Sequence, residues 1–63
     1  MQEDSDAELV ASVAEEFVDR LGRDAVPHLR SEEALALDNG DVFSAEAWHD
    51  IAHAATLVLA YVN

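Results

Sequence analysis

The 63-residue chain contains no cysteine and no lysine. Without thiols there is no disulfide to brace a small core, and no thiolate for catalysis or for soft-metal binding. Its only basic residues are Arg20, Arg23 and Arg30. No basic patch exists to displace counterions from a phosphate backbone, so nucleic acid is a poor ligand and an anionic membrane surface is disfavoured. Two glycines, Gly22 and Gly40, stand too far apart to form a phosphate-cradling loop. The longest apolar run, Ala54 to Val62, is 9 residues including Thr56, well short of the ~20 that a membrane span requires. The opening Met1–Asp6 is acidic and leads into no uninterrupted apolar stretch, so it does not read as a targeting segment, and the expected compartment is the cytoplasm. At this length, separate substrate and cofactor lobes have no room, and enzymatic activity is not expected.

Acid is abundant. Fourteen Asp and Glu give a net charge of −11 at pH 7. Eight of them fall in residues 1–24 and six in residues 25–63, so the charge is a property of the whole surface and not of a tail. Such a field favours a basic protein or a cation as partner and resists compaction by self-repulsion. The hydrophobic fraction of 51% includes 12 alanines. The core is therefore thin, and a chain of this size commonly needs a metal or a second subunit to complete it.

Gly22, Pro27 and Gly40 divide the chain into three segments of helical period. Ser5-x-x-Glu8 has the form of a capping box, which places helix 1 at about Asp6–Leu21 with residues 1–4 disordered. Leu9, Val10, Val13, Ala14, Phe17, Val18 and Leu21 share its inner half. Asp24 is a candidate N-cap for helix 2, Ala25–Leu37, with Pro27 tolerated in the first turn and a stripe of Val26, Leu29, Ala36 and Leu37. Asn39-Gly40-Asp41 reads as a C-cap and turn. Asp41 and Ser44 compete to cap helix 3, which runs to about Tyr61 with Phe43, Ala47, Trp48, Ile51, Ala55 and Val58 on one face. The expectation is a single all-α domain over 1–63, a small three-helix domain in which helices 2 and 3 form an antiparallel hairpin.

The residues Gly40-Asp41, Trp48 and Ile51-Ala52, preceded by Leu29-Arg30 and followed by Leu59, resemble those of a set of short alphaproteobacterial proteins. These end in a helical hairpin with a Gly-Asp turn and an aromatic residue early in the last helix. The resemblance covers roughly residues 25–60, with Pro27 and Glu33 departing from the pattern. What it implies is architecture, with no activity attached.

Glu46-x-x-His49-Asp50-x-x-His53 brings two imidazoles and two carboxylates to one face of helix 3. That donor set suits zinc or nickel, so Glu46, His49, Asp50 and His53 are candidate metal ligands against the simpler reading of a solvated polar face. His49-Asp50-x-x-His53 imitates a zinc-protease helix, but the third ligand and a cleft are missing. His28 reads as an exposed polar residue, and no serine sits in a nucleophile elbow.

Glu33 falls within the apolar stripe of helix 2, where Arg30, one turn earlier, is its expected partner. Leu35, Leu57, Leu59 and Tyr61 are left outside the expected core and form a candidate self-association interface. These features point first to an acidic binding module that engages a basic protein and forms a homo-oligomer, possibly a dimer. The second reading is a small metal-binding protein, and the third an acidic mimic of nucleic acid.

Overall fold

The structure, a computed structural model, describes the backbone of residues 2–62 and the side chains of residues 8–61. It is all-α: α1 spans Gln2–Leu21, one 3-10 turn covers Gly22–Asp24, α2 spans Ala25–Asp38 and α3 spans Val42–Val62. No strand occurs among the described residues. No helix among them is long and apolar enough to cross a membrane.

Helical backbone thus begins four residues ahead of the expected start at Asp6. The side-chain half of the Ser5–Glu8 cap, and most of the expectation for residues 1–4, lie outside the described residues. Between α1 and α2 the chain never leaves helical geometry except at Gly22, whose φ of 59° is the left-handed value that a Cβ would disfavour. Asp24 was expected to cap α2 with its carboxylate, and it does not. Its backbone is already helical, with φ −72° and ψ −11°, and the Ala25 N–H donates to the Gly22 carbonyl, so the 3-10 turn feeds directly into the helix.

The end of α2 is a complete Schellman turn. The Gly40 N–H donates to the Leu37 carbonyl at 3.0 Å and the Asp41 N–H to the Ala36 carbonyl at 2.8 Å, around a Gly40 φ of 75°. Space is open where a Gly40 Cβ would project, so Gly40→Ala should cost only the left-handed backbone penalty of roughly 1 kcal/mol. Urea unfolding of Gly40→Ala beside Gly40→Asn checks this, with asparagine expected to lose less.

Asp41 then starts α3. Its Oδ1 accepts the Ser44 N–H at 3.1 Å, so of the two competing caps Asp41 serves and α3 opens at Val42. The Ser44 hydroxyl and then its backbone N–H hold the Asp41 carboxyl below its ordinary pKa. A carboxylate whose pKa is depressed by folding adds stability above its unfolded value, near about pH 4, and that stability is lost as pH falls through the folded value. Asp41→Asn keeps an acceptor but no charge. Its melting temperature relative to wild type should therefore be lowest at neutral pH and should draw level as the solution is acidified.

The core lies where the three helical segments meet. Ala14, Leu29, Ala52 and Ala55 are fully buried, with Phe17, Val18, Val26, Trp48, Ile51 and Ala54 packed around them. Leu29 alone is both large and fully buried. The most extensive packing is α2 on α3; α1 rests mainly on α3 and hardly on α2. The result is a slab of 35 × 32 × 15 Å, too thin for large side chains to escape solvent.

Several apolar residues therefore lie differently from their expected places. Phe17 and Trp48 meet edge to face at 6.2 Å but stay half-buried. Leu9 and Leu21 of α1, Leu37 of α2, and Phe43 and Ala47 of α3 were expected in the core and are exposed. Alanines occupy the inner line of α3 instead, at Ala45, Ala52 and Ala55, because small side chains let the helix axes approach closely.

Candidate functional site

Helical spacing sets Glu46, His49, Asp50 and His53 on the outer side of α3, and all four are exposed. Their surroundings divide them. His49 reaches toward α2, with Nδ1 3.3 Å from Glu33 Oε2 and 3.4 Å from the Arg30 guanidinium. Glu46 and Asp50 reach the other way, toward α1, where they join Leu9, Val10, Phe43 and Ala47 around an open groove of about 420 Å³. His53 lies on the open face. Among the described residues, no three His, Asp or Glu side chains are grouped to hold a metal ion.

The carboxylate of Glu33 is half-buried at 21% exposure and, as expected, stands 3.4 Å from Arg30. That distance exceeds the roughly 2.7–2.9 Å of a strong charge-assisted bond, so the pair contributes little by itself. His49 is a second neighbour that sequence reasoning missed, because nothing in local spacing joins residue 33 to residue 49. Its Nδ1 can donate to Glu33 or accept from Arg30, but not both at once. His28, exposed as expected, lays its ring against Phe17 at 5.7 Å.

The four candidate interface residues do not form one patch. Leu35, Leu57 and Tyr61 are exposed, whereas Leu59 is half-buried. Leu35 sits two residues from Glu33, which meets α3 at His49. Leu57 is eight residues further along α3, about 12 Å of helix rise. Leu57 and Tyr61 instead share a line with Phe43, and the outer residues of that line are 49%, 90% and 88% exposed respectively.

That line has a sequence signal in its spacing. Residues 43, 47, 50, 54, 57 and 61 alternate steps of four and three, the seam period of paired helices. Phe, Ala, Asp, Ala, Leu and Tyr occupy it in order. On a straight wheel Phe43 and Ala47 fall near Ile51 and Val58, which is why they pass for core; only the position of α1, which leaves the groove open at Leu9 and Val10, separates them. Comparison of the chain with protein-family models, curated proteins and solved structures finds no match.

Proposed function

We propose that this chain is a non-catalytic binding module: a three-helix domain, α2 and α3 forming an antiparallel hairpin, that offers an acidic helical surface to a basic protein and self-associates through its uncovered apolar residues. The hairpin reading rests on the Schellman turn and on the approach of Glu33 to His49. The observation that carries the functional reading is the distribution of acid. Every described Asp is exposed, only Glu32 and Glu33 among the described Glu are half-buried, and no polar or charged residue among those described is buried.

A surface of this kind steers cationic partners and repels anionic ones. It also brings no set of convergent, strongly perturbed groups of the sort that chemistry at a site requires. The test is calorimetric titration with a synthetic lysine-rich amphipathic helix and with its glutamate-rich counterpart. The lysine-rich peptide should bind, and its affinity should fall as salt screens the charges. Absence of binding at low salt, or equal binding of the two peptides, would sink the reading.

A further inference from the structure

We propose that two copies pair through the outer line of α3, antiparallel, with the C-terminal half of each α3 lying in the groove beside the N-terminal half of the other. The proposal deepens the self-association in the reading above and gives it an interface and a register. It starts from area. A 6.9 kDa monomer is expected to expose about 4,000 Å², whereas this chain exposes 4696 Å². The excess of roughly 700 Å² is close to the ~800 Å² that each partner covers in a standard-sized interface. The exposed line accounts for where that surface lies: it runs from Phe43 to Tyr61, about 27 Å of helix.

The order of residues selects a second copy, and one direction. Antiparallel pairing about the middle of the line sets Phe43 against the other copy's Tyr61, Ala47 against its Leu57 and Asp50 against its Ala54. Large meets small in the inner layers and aromatic meets aromatic at the ends, the fit that knobs-into-holes packing needs. Tyr61 of each copy then enters the groove walled by Leu9, Val10 and Phe43.

Charge agrees. Asp50 stands beside His53 of the other copy near the two-fold axis, and Glu46 falls beside apolar residues near the other copy's Val58 and Ala60. Parallel pairing would instead set Asp50 directly against Asp50, which costs free energy in a desolvated layer. The net charge of −11 on each copy opposes association at long range, so the dimer should tighten as salt rises, opposite to the response of a basic partner.

The experiment is sedimentation equilibrium combined with spin labelling, for which the absence of cysteine is convenient. Wild type should be a dimer. Leu57→Asp and Tyr61→Asp should be monomers of unchanged helicity by circular dichroism, while Ser31→Asp, which adds the same charge on exposed α2 surface, should remain dimeric. Labels on Ala60→Cys should be offset by about 24 Å along the axis in the antiparallel pair; a parallel pair has no offset and only the interaxial ~8–10 Å.

A wild type that is monomeric into the high micromolar range, a dimer that survives Leu57→Asp, or labels in close dipolar contact overturns the proposal. A monomer that still binds the lysine-rich peptide defeats the pairing and leaves the acidic module standing. A dimer of the stated register that ignores the peptide at low salt supports the pairing and removes the basic partner.

Discussion

Leu29→Ala is expected to remove about 3 kcal/mol of stability and to leave the chain partly unfolded at room temperature. Truncating a fully buried leucine costs roughly 2–5 kcal/mol, through lost transfer free energy and through the cavity that remains. Native stability scales as about 0.05–0.15 kcal/mol per residue, which for a chain of this length is about 3–9 kcal/mol in total. Leu29 is the one large side chain with no exposed surface, held among Ala14, Ala52 and Ala55. Alanine neighbours cannot swing into the void, since none has a rotatable side chain, so the site has little means of collapse. Urea unfolding followed by circular dichroism checks the value. Leu29→Met, of nearly equal volume, should cost less than about 1.5 kcal/mol. A loss under about 1 kcal/mol for Leu29→Ala would show that the core is not organised around this residue.

The alanine content explains how much of the molecule was legible in the sequence. Fold class was, because Asn39-Gly40-Asp41 carries its own turn chemistry and the segments on either side repeat with helical period. The end of α2 and the capping of α3 at Asp41 follow from the same three residues. The choice of inner face on α3 was not legible. A wheel weighted by hydrophobicity puts Phe43 inside and treats alanine as neutral, whereas close helix packing puts Ala45, Ala52 and Ala55 inside and leaves Phe43 to solvent. Alanine is small and apolar enough to be indifferent in a transfer scale, so its role depends on how near the neighbouring axis comes. That distance is a tertiary property.

The candidate site divides along the same boundary. Arg30 beside Glu33 could be read one helical turn apart, and the structure places them together. The departure of His49 from His53 could not, because it depends on Glu33 in another helix. Four residues that share a face on paper are thus distributed between α2, the groove toward α1 and open solvent. Leu35 separates from Leu57 and Tyr61 for a related reason: being left over from a core is a common property, but it does not make residues neighbours.

Trp48→Ala is expected to cost about 2–3 kcal/mol, less than the roughly 3–5 kcal/mol of a fully buried aromatic, since Trp48 is only half-buried. Part of that loss belongs to a single partner. Phe17 meets Trp48 at 6.2 Å with the rings 75° apart, an edge-to-face pair that bridges α1 and α3, and such pairs contribute about 0.5–1.5 kcal/mol beyond their buried area. A double-mutant cycle isolates it: Phe17→Leu and Trp48→Leu, singly and together, should show a coupling within that range. The cycle also reports on how α1 is held, because α1 rests mainly on α3 and hardly on α2. If the aromatic pair fastens α1, both single variants should increase amide hydrogen exchange in α1 more than in α2. Additive losses, with exchange raised evenly along the chain, would mean that α1 is secured by Ala14 and its alanine neighbours and that the rings merely shield it.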